Sequence, residues 1–131
     1  MLFWQGKTMA DLSGSWLGTY WQLGNPTRFE ATLVQGGNSL TGNILDDGPL
    51  GEAQLTGDVI GRTIRFIKTY NRTNQWPITY SGKVSEDGNY MSGLWFFEGG
   101  NDQGNWEAHR QQDNLLAELQ RVTQKQALQT V

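Results

Sequence analysis

Two oppositely charged residues, Asp46 and Lys68, fall at positions that a strand pattern assigns to the inside of a small protein. Each continues a run in which every second residue is apolar, so both side chains should share the face of those apolar neighbours. A charge on an inner face has to be paired, hydrated or placed at an opening. We interpret both residues as polar groups near strand ends, which either orient a ligand or line an open, wet end of the fold.

Aromatic residues provide the rest of this candidate site. Large rings recur at inner positions of several strands, and an apolar lining with few polar groups is typical of a small-molecule pocket. We predict a ligand site with polar contacts from Gln22, Asp46 and Lys68 and with aromatic walls from Tyr20, Phe29, Phe66, Trp76, Tyr80 and Trp95. The same rings could instead fill the interior, and the sequence leaves both alternatives open.

Catalytic and metal-binding chemistry has less support. His109 is the single histidine and faces outward by strand parity, with Glu107 as the acidic neighbour on its face. Most other acidic residues, such as Asp46-Asp47 and Glu86-Asp87, lie in or beside turns, where carboxylates cap the backbone. None has the spacing of a calcium-binding loop. We predict no catalytic residue, no metal site and no cofactor.

Turn sequences rich in glycine, asparagine, aspartate and proline divide the chain into short segments that alternate in polarity. The pattern predicts eight strands, at about 14–22, 27–35, 39–46, 51–60, 63–70, 76–85, 89–98 and 103–110. Short links between them are typical of an up-and-down meander, and closure into a barrel removes its two exposed edges. We predict an all-β, eight-stranded antiparallel up-and-down barrel, with a two-sheet sandwich as the alternative.

A tripeptide of large apolar residue, small hydroxyl residue and glycine occurs in four of these segments. Its copies are Leu40-Thr41-Gly42, Leu55-Thr56-Gly57, Tyr80-Ser81-Gly82 and Met91-Ser92-Gly93. Glycine weakens a strand unless the backbone bends tightly or approaches another strand closely, as barrel closure requires. The repeat also sets the phase of the strands, because its apolar residue and its glycine share the inner face.

Residues 111–131 differ in composition, with no glycine and no aromatic residue. Leucine and valine recur there at helical spacing, which predicts a short C-terminal α-helix that acts as a lid, a dimerisation strip or a cover for the core. Several apolar residues fall on the outer strand faces, where they lie under this helix or form a patch for another protein. They are Leu17, Trp21, Val34, Leu45, Leu94 and Phe96.

Length and composition limit the domain organisation and the class of partner. A chain of 131 residues has room for one core, and we divide it into a leader (1–12), a barrel (13–110) and a helix or tail (111–131). The absence of cysteine excludes disulfides and thiolate catalysis. A formal net charge of -3 has the wrong sign for binding nucleic acid or an anionic membrane. Without a recognisable signal peptide or a membrane-spanning apolar run, we expect a cytoplasmic protein.

Gly14-Ser15-Trp16 at the first strand and Arg110 at the end of the eighth resemble the signature of the calycin superfamily, which includes lipocalins and avidins. In that group the tryptophan lies at the closed end of the barrel and the arginine packs across it. The order of further motifs is most similar to the streptavidin branch: the two Leu-Thr-Gly repeats, Ile64 to Tyr70, Tyr80-Ser81-Gly82, Trp95 and Trp106.

The resemblance implies a cavity with aromatic walls. Gly18 and Gln22 stand where the avidins place polar residues that bind biotin, so the polar part of that site is not matched.

Three functional hypotheses follow. The first is a non-enzymatic barrel of avidin-like or lipocalin-like type that binds a small apolar or aromatic molecule at its open end. The second is an interaction module with a filled barrel, which binds another protein or a second copy of the chain. The third is a calycin-type enzyme that acts on a bound hydrophobic substrate, which the small number of acid–base residues disfavours.

Overall fold

Polarity that alternates between closely spaced turns folds the chain into eight consecutive antiparallel strands in this computed structural model, which describes residues 10–111 and 123. The strands are β1 (Gly14–Gln22), β2 (Asn25–Gly36), β3 (Ser39–Asp46), β4 (Glu52–Ile60), β5 (Thr63–Tyr70), β6 (Ile78–Val84), β7 (Tyr90–Phe97) and β8 (Gln103–Arg110). Each strand pairs with the next and β8 pairs with β1, so the sheet closes on itself. The predicted barrel is confirmed, and the sandwich alternative is wrong.

The segment directly before β1 belongs to the core of the barrel. Leu12, which we predicted to lie in the leader, is fully buried in the core, and Ala10 packs against that core. The predicted C-terminal helix lies outside the described residues, apart from Gln111 and Thr123. None of the described residues forms a helix long and apolar enough to cross a membrane.

The inner and outer faces follow the predicted alternation, as β5 illustrates. From Thr63 to Tyr70, exposed and buried side chains alternate without exception. On the outer face, several large apolar residues remain exposed: Leu17, Val34, Leu45, Leu94 and Phe96. Trp21, predicted to belong with them, is half-buried.

Trp76 is the exception to the predicted phase. We predicted it on the inner face of the sixth strand, and this prediction is wrong, because β6 begins only at Ile78 and Trp76 is 63% exposed in the preceding loop. The physical reason is Pro77, which has no N–H to donate to the strand ladder and restricts the conformation of the residue before it.

The repeated strand glycines lie where backbones approach each other closely. Gly82 and Gly93 face each other across β6 and β7. A Cβ atom on Gly82 would collide with the carbonyl oxygen of Ser92, and one on Gly93 with that of Ser81. The same holds for the glycines of the two Leu-Thr-Gly repeats, which approach carbonyl groups of β2 and β5. These glycines therefore permit the tight bending that closes the barrel.

Arg110 and Trp16 close the end of the barrel at which β1 begins. The guanidinium carbon of Arg110 lies 4.6 Å from the centre of the Trp16 ring, within cation–π range. The guanidinium also donates hydrogen bonds to three backbone carbonyl oxygens, of Asp11, Ser13 and Gly88, and to the side chain of Asn89. Gly14 leaves room for it, since a Cβ there would lie 3.3 Å from Arg110 Nη1. Arg110, at the end of β8, thus connects the segment before β1 to the β6–β7 turn.

Candidate functional site

The opposite end of the barrel contains a cavity of about 260 Å³. This is just below the usual range of small-molecule pockets, about 300–1,000 Å³. Four residues of the predicted site line it: Tyr20, Gln22, Tyr80 and Trp95. Six further residues complete the lining: Leu50, Tyr70, Gln75, Ile78, Phe97 and Asp102. The cavity is thus mostly apolar and aromatic, with amide and carboxylate groups among its lining residues.

The remaining residues of the predicted site lie elsewhere. Phe29 and Phe66 are buried in the core next to the lining residues, with Phe29 stacked on Tyr20 and Phe66 stacked on Tyr80. They support the walls but do not line the cavity. Trp76 lies outside it, in the loop before β6.

Asp46 and Lys68 form an ion pair inside the barrel. Lys68 Nζ lies 2.8 Å from Asp46 Oδ1 and 3.0 Å from Oδ2, and the two side chains are 0% and 1% exposed. Their predicted place at a rim or a wet opening is therefore wrong. They belong to β5 and β3, which are not neighbours in the sheet, so the pair forms across the barrel interior. A buried pair of this kind needs good geometry and further hydrogen bonds to offset the loss of water.

Two tyrosines supply those further hydrogen bonds. The hydroxyl of Tyr20 lies 2.9 Å from Asp46 Oδ2, and the hydroxyl of Tyr70 contacts the same oxygen. An ionised carboxylate only accepts hydrogen bonds, so both phenols donate. Asp46 and Lys68 do not line the cavity, whereas Tyr20 and Tyr70 contact Asp46 and line the cavity as well. The phenols therefore separate the ion pair from the open space.

Three tyrosine rings surround the ammonium group of Lys68. Its Nζ lies 4.7 Å from the ring centre of Tyr70, 4.8 Å from that of Tyr20 and 5.7 Å from that of Tyr80. All three distances are within cation–π range, and desolvated pairs of this type are stronger than exposed ones. The rings thus contribute to stabilising a charge that has lost its water.

Burial also changes the titration of these groups. It lowers the pKa of Lys68, against the attraction of Asp46. It raises the pKa of Tyr20, Tyr70 and Tyr80, and the negative charge of Asp46 acts in the same direction. The three phenols therefore keep their protons at neutral pH.

Alkaline titration should reveal these shifts. In the folded state the pKa of each inner tyrosine lies above its ordinary value of 10.0, so above that pH the unfolded chain loses protons that the folded chain keeps. The folded state therefore becomes less stable relative to the unfolded state as the pH rises. Lys68 acts in the opposite direction, but only below its ordinary pKa of 10.5. Above that value we expect tyrosinate absorbance from the inner tyrosines to appear together with the loss of tryptophan fluorescence that marks unfolding.

Tyr90 is the control for this titration. It lies at the start of β7 on the outer wall, where burial and a hydrogen bond to Glu107 raise its pKa, and it is the fourth and last tyrosine. Its ionisation should be reversible in the folded protein, and Tyr90→Phe should remove it. Ionisation of two or more tyrosines in a still folded barrel would contradict the prediction.

Some of the missed lining residues had a signal in the sequence. Tyr70 is two residues after Lys68 in β5, so the same alternation places it on the inner face. Ile78 and Phe97 likewise fall on predicted inner positions at strand ends. Leu50, Gln75 and Asp102 lie in loops, and no periodic pattern indicates which loop residues turn toward a cavity.

His109 lies apart from the cavity at the open end of the barrel. His109 is exposed on the outer wall, and its ring centre lies 4.7 Å from that of Tyr90. Within residues 10–111, no three acidic or histidine side chains are grouped so that they could hold a metal ion.

Fold and cavity together define an eight-stranded up-and-down barrel with one closed end and a cavity at the other, which is consistent with a calycin-like fold. No family model matches the chain, and no curated protein is significantly similar to it.

Proposed function

We propose that this protein is a binding protein that holds a small, largely apolar molecule in the cavity at the open end of its barrel. The observation that carries the proposal is the hydroxyl group of Tyr80. Tyr80 is 2% exposed and lines the cavity, and its hydroxyl has no hydrogen-bond partner among the described residues. Every fully enclosed side-chain polar atom in that part of the chain has a partner, so this hydroxyl must face open space. The cavity is the open space that Tyr80 lines.

Because it faces the cavity without a protein partner, this hydroxyl is available to form a hydrogen bond with a ligand that has a matching polar group. The apolar lining supports the same proposal. Ile78 and Phe97 contribute hydrocarbon surface, and the indole N–H of Trp95 already donates to the carbonyl oxygen of Trp21. Trp95 therefore offers its ring, and not a hydrogen bond, to a ligand.

The open space favours binding over the alternative of a filled interaction module. Acid–base catalysis has less support, because the buried charges of Asp46 and Lys68 are engaged with each other and do not line the cavity. The contact of Arg110 across Trp16 at the closed end supports placing the chain among the calycin barrels, as its sequence signature implies.

Filling the cavity tests the proposal. Ile78 is buried and faces the cavity, and Ile78→Trp should remove most of that space. We expect calorimetric titration with small neutral aromatic molecules, such as benzyl alcohol, to show binding to the unaltered protein and a loss of at least about tenfold in the variant.

The matched control is Ile67→Trp. Ile67 is exposed on the outer face of β5, the strand that pairs with β6, so the same substitution there leaves the cavity intact. Binding by this variant should equal that of the unaltered protein. If Ile78→Trp binds as well as Ile67→Trp, or if no molecule of this class binds, the cavity is not the binding site.

A further inference from the structure

We infer that the cavity selects a neutral ligand whose polar head is a hydroxyl group, an alcohol or a phenol attached to an apolar body. The inference rests on the proposed function and specifies the chemical class of its ligand. It follows from the direction of the hydrogen bonds that Tyr20 and Tyr70 form with Asp46, and from the zero net charge of the Asp46–Lys68 ion pair.

Tyr20 and Tyr70 can only accept further hydrogen bonds from a ligand. A phenol has a single donor, and in both residues that proton lies on Asp46. Both residues line the cavity, and their oxygens have lone pairs that can accept a hydrogen bond. A ligand head near these two residues must therefore donate.

Tyr80 adds a group that can still donate. Its hydroxyl is uncommitted among the described residues and can give its proton to a ligand oxygen. A head that donates to Tyr20 or Tyr70 and accepts from Tyr80 satisfies both requirements. A hydroxyl group does this with one oxygen atom, whereas a carboxylate has no proton to donate and an ammonium group has no lone pair.

The ion pair also disfavours a charged head. Lys68 Nζ and Asp46 Oδ1 are in direct contact at 2.8 Å, so the pair has no net charge that could stabilise a ligand ion after it loses its water. A cation would in addition approach the ammonium of Lys68, which lies only 4.7 Å from the centre of the Tyr70 ring. Asp102, the carboxylate among the lining residues, is exposed to solvent.

The size of the space suits a body of about one ring. An apolar cavity of about 150 Å³ holds benzene, and this cavity measures about 260 Å³. Benzyl alcohol therefore represents the inferred class, and toluene, benzoate and benzylamine have the same body with a different head.

Calorimetric titration of the protein with these four compounds tests the inference. We expect benzyl alcohol to bind about 5- to 10-fold more tightly than toluene, because it forms one or two additional hydrogen bonds. Benzoate and benzylamine should bind more weakly than benzyl alcohol. In Tyr80→Phe, affinity for benzyl alcohol should fall several-fold and affinity for toluene should stay the same, while Tyr90→Phe on the outer wall should change neither.

The outcomes separate the two proposals. If toluene binds as tightly as benzyl alcohol, or if either charged compound binds most tightly, the hydroxyl class is overturned and the binding function stands. If none of the four compounds binds, both proposals fail. The ranking of the four compounds on the unaltered protein decides the inference even if Tyr80→Phe does not fold.

Discussion

Replacing Lys68 with methionine should lower the free energy of unfolding by about 3–5 kcal/mol, because it leaves the carboxylate of Asp46 charged and unpaired inside the barrel. Both charged groups are fully enclosed, and Lys68 Nζ contacts both oxygens of Asp46. The methionine side chain is similar in length to that of lysine but has no charge. The loss of unfolding free energy therefore reflects the missing charge more than altered packing. Denaturant unfolding followed by tryptophan fluorescence measures it.

A double variant shows whether the loss comes from the orphaned charge. Adding Asp46→Asn to Lys68→Met removes that charge and keeps an acceptor for Tyr20 and Tyr70, so the double variant should recover part of the stability.

The surface pair Arg62–Glu86 provides the control. Its closest charged atoms are 3.8 Å apart and its side chains are 51% and 92% exposed. Exposed pairs contribute little, so Glu86→Gln should leave stability unchanged within error. A Lys68→Met variant as stable as Glu86→Gln would contradict the structural role of the buried pair.

Replacing Arg110 with alanine should destabilise the barrel by about 3 kcal/mol. Hydrogen bonds from a charged donor contribute about 1.5–3 kcal/mol each, and the several bonds of one half-buried guanidinium do not add in full. The side chain also packs across Trp16, which is fully buried and donates its indole N–H to the carbonyl oxygen of Leu12. The substitution therefore releases residues 11–13, directly before β1, together with the β6–β7 turn.

Arg110→Lys separates charge from geometry. Lysine keeps the positive charge but lacks the planar fork that reaches several carbonyl groups at once, so it should recover little of the loss. Arg65, exposed on the outer face of β5, is the matched control, and Arg65→Ala should have almost no effect. If Arg110→Lys unfolds at the same denaturant concentration as the unaltered protein, the hydrogen bonds of Arg110 do not hold the closed end.

The fold could be predicted from the sequence because its determinants are local. Turn residues mark the strand ends, and the observed strands begin and end within two residues of the predicted positions. The repeated glycines indicated close backbone approach and lie where a side chain would collide with a neighbouring strand. Trp76 lies outside β6 because Pro77 delays the start of the strand to Ile78, and a proline is again a local signal.

The candidate site was less predictable because its contacts are long-range. Alternation places Asp46 and Lys68 on the inner face, but it does not show that two strands without a common hydrogen-bonded edge bring them into contact across the interior. The hydrogen bonds of Tyr20 and Tyr70 to Asp46 depend on the same three-dimensional arrangement. Loop residues such as Asp102 line the cavity because of the conformation of their loops, and no periodic sequence pattern predicts that conformation.

An NMR titration with benzyl alcohol, followed through the indole N–H signals of the tryptophans, tests binding in the cavity most directly. Trp95 lines the cavity, whereas Trp16 is buried at the closed end of the barrel. The indole signal of Trp95 should shift in a saturable manner while that of Trp16 stays in place. Absence of a saturable shift at Trp95, or an equal shift at Trp16, would contradict ligand binding at the open end.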